Sequence, residues 1–215
     1  MFPERLTKGY RAFLEGRFAV ERGRYQTLAG SGQSPSIMVI GCVDSRVSPE
    51  VIFDAAPGEL LVARNVANLV PRYEPPTTPQ QDIRHQHGTS AALEFAVRAL
   101  RVSHIVVLGH AFCGGIKAFA SDEAPLTASD FIGRWMRQIA PAADAIKAPK
   151  KDWESYLRQL EFASVELSLK NLLTFPFVKA AVDKGELHLH GAYFGVASGK
   201  LLVRNARTGT FDPVG

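Results

Sequence analysis

The chain has 215 residues, of which 46% are hydrophobic, with 18 Gly, 13 Pro and a net charge of +4. That length supports one substantial core and is short for two independent domains, and the composition is globular rather than disordered or fibrous. No apolar run reaches membrane-spanning length, and Lys and Arg are scattered rather than clustered with stacking aromatics, so neither a membrane span nor a nucleic-acid surface is expected.

Residues 4 to about 20 place Leu6, Tyr10, Phe13, Leu14 and Phe18 along one helical stripe. Such a helix needs a surface to cover, either its own domain or a partner. The N-terminus reads as an amphipathic segment rather than a signal peptide, which makes the cytoplasm the expected location. Leu28 to Ser36, with Gly30, Gly32 and Pro35, reads as a loop. Ile37 to Ile40 suits a strand covered on both faces, and it leads into Gly41-Cys42-Val43-Asp44-Ser45-Arg46. Pro49 opens a short helix through Phe53, Pro57-Gly58 forms a turn, and Glu59 to Arg64 is a second strand, followed by Asn65-Val66-Ala67-Asn68.

Pro71 to Gln81 carries four prolines and reads as a surface excursion. From Gly88 the spacing of Ala92, Phe95, Ala96 and Ala99 predicts a helix, which delivers the chain to a strand at His104 to Leu108. His110-Ala111-Phe112-Cys113 comes next, then a helix from Gly114 to Phe119. Asp122 to Thr127 is a loop, Ser129 caps a helix to about Ile146 that Pro141 interrupts, and Trp153 to Leu173 is a longer helix. Phe175 to Val182 forms a short helix, and Leu187 to Val196 with Lys200 to Asn205 form an antiparallel hairpin. Strand, helix, strand at this spacing predicts an α/β sheet with helical cover and a mixed edge.

Both cysteines fall directly after strands, in two half-sites that a parallel sheet would bring to one carboxyl edge. Cys42, His110 and Cys113 are ligands that zinc prefers. A Cys42–Cys113 disulfide, inert core residues and a closed structural zinc site are the alternatives, but two cysteines make no disulfide framework and fit a reducing compartment. Three ligands leave one tetrahedral position open. Asp44 closes the site if it takes that position; Arg46, two residues on, can instead hold the carboxylate off the metal in a bidentate pair. Zinc-coordinated water deprotonates near neutrality, although two thiolates make this harder and call for compensation, which Asp44 held by Arg46 can provide by orienting the nucleophile. Gly114 and Gly115 belong to no phosphate-binding pattern.

These residues resemble the β-class carbonic anhydrases. The likeness rests on Cys42-Val43-Asp44-Ser45-Arg46 with His110-Ala111-Phe112-Cys113-Gly114-Gly115, and extends through Pro57-Gly58-Glu59, Arg64 to Asn68, Ala91 to Val97 and Asn171 to Val178, covering most of residues 30 to 205. It implies a single domain over 1–215 with a mostly parallel central sheet of four strands, an antiparallel fifth edge strand and flanking helices. It also implies reversible hydration of carbon dioxide to bicarbonate and a proton by zinc-bound hydroxide, with Zn²⁺ on Cys42, His110 and Cys113 and an Asp44–Arg46 dyad. The family unit is a homodimer, often paired into tetramers, and residues 4–20 become an arm on the partner subunit.

Some members carry a bicarbonate-binding cluster that needs a Trp three residues before the first Cys. This chain has Val39 there, which argues against that switch even though Arg64 is present. Gln33, nine residues before Cys42, is similar to a Gln of the plant-like open-site members, where its amide would donate to the substrate oxygens. Leu61 and Phe95 stand where those members have a Phe and a Tyr from the neighbouring subunit, and with Gly114 they complete the expected substrate pocket. His85 and His87 are weighed as a proton shuttle against ordinary solvated side chains. The rival functions are hydrolysis of an analogue such as carbon disulfide and a catalytically silent, zinc-stabilised protein.

Overall fold

Ile37–Cys42 forms β1, and every residue after Ile37 is buried. A strand with no polar side chain must be covered on both faces, and the structure, a computed structural model, puts β1 inside the sheet between β2 and β3. Residues 1–75, 88–121, 129–146 and 152–214 are described.

The elements preceding and following β1 are α1 (Glu4–Glu15), α2 (Arg17–Ser31), α3 (Pro49–Ile52) and β2 (Leu60–Asn65). Next come α4 (Gly88–Glu94), which continues into a π-helical turn over Phe95–Leu100, β3 (His104–His110) and α5 (Gly114–Ala120). Then follow α6 (Phe131–Met136), α7 (Ala140–Asp144), α8 (Trp153–Leu172), α9 (Pro176–Asp183), β4 (His188–Phe194), β5 (Leu201–Arg204) and β6 (Phe211–Pro213). The sheet order is β2-β1-β3-β4-β5-β6.

The strands β2, β1, β3 and β4 run parallel, while β4–β5 and β5–β6 pair antiparallel. This corrects the expected sheet of four parallel strands with one antiparallel edge strand: the sheet has six strands, and β5 is an interior strand covered by β6. The sixth strand is only three residues long, below the length at which alternation in a sequence is informative. Its hairpin closes through Gly209 at φ +76, with Asn205 N donating to Thr210 O.

From β1 the chain moves to β2 on one side; from β3 it moves to β4 on the other. The connections leaving β1 and β3 therefore part at adjacent carboxyl ends, opening the crevice in which α/β sheets place their sites. One face of the sheet, with Met38, Ile40, Ile105 and Val107, packs on Val165, Leu169 and Leu172 of α8. The helix comes close because Gly109 lies beneath it: a Cβ there would meet Val165 Cγ2 at 2.6 Å. The opposite face gathers Val39, Leu108 and Ala192 with partly buried Ile37, Leu60, Val62 and Val106.

Two further readings change. The expected helix over 4–20 is two helices broken at Gly16 (φ −102, ψ −96), and α2 runs through Ser31, so residues 28–31 are helical rather than loop. Aromatic contacts among Phe13, Phe18 and Tyr25 join α1 to α2, and Arg17 and Arg24 of α2 donate to the carbonyls of Ala55 and Pro57. The helix expected from Ser129 starts after Asp130 and is divided into α6, a 3₁₀ turn over Arg137–Ile139 and α7, with Pro141 in the first turn of α7, where its missing N–H costs nothing. His85, His87, part of the Pro-rich excursion and the Asp122–Thr127 loop lie outside the described residues.

Candidate metal centre

Cys42 ends β1 and His110 ends β3, so strand register alone carries both to one edge. Cys113 follows after a turn in which Phe112 adopts a left-handed backbone (φ 59), and it immediately precedes α5. The sulfurs of Cys42 and Cys113 and a ring nitrogen of His110 all lie within 4.8 Å of one another, and the three residues are buried. Both cysteines are free thiols, so the disulfide alternative is not what the structure shows.

His110 is oriented for a ligand's role. Its Nδ1 is 2.9 Å from Ala111 O, which fixes the proton on Nδ1, and its Nε2 is buried with no hydrogen-bond partner. A buried imidazole nitrogen left with a free lone pair beside two thiols is poorly satisfied by protein alone, and a soft divalent cation completes it. The Cys42 sulfur accepts the N–H groups of Asp44 at 3.5 Å and Ala67 at 3.4 Å. Contact with Cys113 lowers the Cys42 thiol against the effect of burial, with His110 adding to the lowering; the same contact, and burial, push the Cys113 thiol up. Burial works to depress the His110 imidazole, but the close approach and charge of Cys42 raise it overall. Three groups that compete for protons at such range are a set that a cation would relieve.

Asp44 is not part of this ligand set among the described residues. Arg46 donates from Nε to Asp44 Oδ1 at 2.9 Å and from Nη2 to Oδ2 at 2.7 Å, its backbone N–H reaches Oδ1 at 3.0 Å, and Nη2 also reaches Phe112 O at 3.1 Å. These side-chain bonds hold Asp44 well below the usual carboxylate range despite its partial desolvation. Gly114, at the start of α5, has open space where a side chain would stand, whereas a Cβ on Gly115 would meet Val66 Cγ1 at 2.9 Å.

The other expected pocket residues are not brought to this edge within one chain. Gln33 is exposed and precedes the amino end of β1, while Cys42 closes the other end; the strand between them alone spans about 17 Å. Leu61 pairs with Met38 near the amino end of β2, and Phe95 is exposed at the start of the π-helical turn. A cavity of about 570 Å³ lies at the amino end of β1, lined by Ser34, Pro35, Ile37, Phe53 and Leu60, away from the three ligands.

The supporting roles of several further residues are not legible in the sequence. Arg64 donates to Cys42 O and Asp44 O, each at 2.7 Å, and so fixes the backbone of the first half-site. Trp135 Nε1 donates to Val66 O at 2.8 Å behind the Ala67 turn, where Ala67 is left-handed at φ 63. Glu161 of α8 is buried and accepts from the Cys113 backbone N–H and the Tyr193 hydroxyl. A charged residue inside the buried stripe of an amphipathic helix was the one signal the sequence offered for it.

The family model described as carbonic anhydrase matches residues 37–201. Beta carbonic anhydrase 3 of Arabidopsis thaliana is 36% identical over 200 residues, covering 91% of this chain and 74% of that protein. The structure of the β-carbonic anhydrase CcaA aligns with a TM-score of 0.83 at 27% identity, covering 99% of this chain and 92% of that one. A tetrameric β-carbonic anhydrase from Sordaria macrospora aligns at 0.75 and 28% identity, covering 95% and 96%. The chain belongs to the β-carbonic anhydrase family, and Cys42, His110 and Cys113 are its zinc-binding residues.

Proposed function

We propose that Asp44 and Arg46 act as one positioning unit in the zinc-dependent, reversible hydration of carbon dioxide to bicarbonate and a proton that this enzyme catalyses. The observation that carries the reading is the bidentate Arg46–Asp44 pair beside a buried His110 Nε2 that has no partner in the protein. Zinc, when held by Cys42, His110 and Cys113, would supply Lewis-acid activation of water at neutral pH. An ionised Asp44 only accepts hydrogen bonds, so it orients a water's lone pair toward the substrate carbon; Arg46 keeps the carboxylate from becoming a fourth ligand. A new C–O bond forms as water adds to carbon dioxide, and its proton leaves to solvent.

The position of Gln33 favours a site completed by a second copy of the chain. In α1, Leu6, Tyr10 and Leu14 are exposed at intervals of four residues, and none of its residues is buried within the chain. A homodimer in which this face lies on the partner, and Gln33 reaches the partner's zinc edge, accounts for both features; pairing of dimers, as in the tetrameric Sordaria macrospora enzymes, is the further step. The buried free cysteines fit a reducing compartment, and the cytoplasm is our reading of the location.

Stopped-flow carbon dioxide hydration on protein of measured zinc content tests the activity: rate proportional to zinc is expected, and a zinc-full chain without hydration would refute it. Carbon disulfide, offered alongside, gives no faster turnover on this reading. For Gln33, mixing inactive Gln33→Ala and Cys42→Ala chains is expected to restore about a quarter of parent activity through mixed dimers that hold one complete site. No restoration after verified exchange of subunits rejects the shared site.

A further inference from the structure

We infer that Glu161, held by Tyr193, is a positioning residue for the metal centre: it fixes the Cys113 ligand turn from behind. The inference rests on the zinc assignment above. Glu161 belongs to α8, a helix whose buried positions otherwise include Tyr156, Leu160, Val165, Leu169 and Leu172. A carboxylate in that stripe is costly unless its oxygens are satisfied. Here Oε1 accepts the Cys113 N–H at 3.1 Å and Oε2 accepts the Tyr193 hydroxyl at 2.5 Å, and Glu161 is only 6% exposed.

The bonding ties three elements together at the site. Tyr193 lies in β4, paired with Gly109, the residue before His110, and is 3% exposed; Phe162 packs against its ring with centroids 4.5 Å apart. Cys113 thus receives its backbone anchor from a helix that is itself locked onto the sheet. Nothing in the fold alone requires a carboxyl group here, since an apolar side chain would fill the stripe without desolvating one. The position of the group does require explanation, because its partner is the backbone of a ligand. A hydrogen-bonded group behind a ligand sets its direction.

Glu161→Gln keeps the shape and one acceptor while replacing the other carboxyl oxygen with an amide nitrogen; Tyr193→Phe keeps the carboxyl and removes one anchor. Metal-full parent and variants are compared by chelator competition, by the visible spectrum after cobalt substitution and by thermal melting. Glu161→Gln is expected to weaken zinc binding about 10- to 100-fold and to change the cobalt absorption, because the anchor that directs the Cys113 turn is altered. Tyr193→Phe is expected to weaken zinc binding in the same direction by about threefold or more. A folded Glu161→Gln chain with parent affinity and cobalt spectrum overturns the inference. If that variant does not fold, Tyr193→Phe decides: parent affinity and spectrum overturn it, and weakened binding with a changed spectrum supports it. A parent chain that retains no zinc overturns the zinc assignment as well.

Discussion

At the scale of single residues, the centre is defined by which atoms are left without partners. His110 spends Nδ1 on its neighbour's carbonyl, and that leaves Nε2 to a metal. His110→Ala is therefore expected to lower zinc content from one per chain toward zero and hydration by at least about 100-fold, read by elemental analysis and stopped flow. Full zinc occupancy with parent activity in that variant would reject the ligand. Arg46→Ala releases Asp44 from its bidentate partner; zinc should stay bound while kcat/KM falls about 10- to 100-fold, and a crystal of the variant should show the Asp44 carboxylate turned from its present place. The ligands and the dyad were legible in the sequence because their spacing is short and local. Arg64 was present in the sequence but its work was not, since it donates across 20 and 22 residues to backbone carbonyls.

At the scale of elements, the amino ends of β3 and β4 bring His104, His188 and His190 together on one face. His104 Nδ1 lies 3.1 Å from His190 Nε2, and the His104 ring stacks on His188 with centroids 5.4 Å apart. Burial first, then the neighbouring His104 and His188, lowers His190 from its ordinary range. With the folded state binding fewer protons than the unfolded one, stability falls as pH drops through the ordinary histidine range toward the lowered value and is unaffected above it. Denaturant melts at pH 7.5 and pH 5.5 should show this loss, and His190→Gln should flatten it; an unchanged slope would put the acid sensitivity elsewhere. Where α8 crosses the sheet, Gly109→Ala should destabilise by about 1–3 kcal/mol, because the added methyl meets Val165 in a packed interior. The hydrophobic periods exposed most of these elements, yet β6 and the break at Gly16 were missed. A three-residue strand is specified by its partner β5, and the α1–α2 corner by aromatic contacts, so neither has a period of its own.

At the scale of the whole molecule, the apolar stripe of α1 and the open amino end of β1 are the features the proposed dimer would cover. Removal of residues 1–15 is expected to weaken the proposed dimer about 100-fold, visible as a shift toward monomer mass in light scattering during dilution. A truncated chain that stays dimeric at the same concentrations would assign the interface to another surface. By itself the sequence pointed to the α/β class, to Cys42, His110 and Cys113 as candidate zinc ligands and to the Asp44–Arg46 pair, because these depend on motifs of a few residues following short apolar strands; the carbon dioxide chemistry came from the resemblance of those motifs to a known family. Only the tertiary structure decided the six-strand order, the separation of Gln33 from Cys42 along β1, and the Glu161–Tyr193 support behind Cys113. Those depend on which distant segments pack together, and a hydrogen bond spanning 48 residues leaves no periodic trace in the chain.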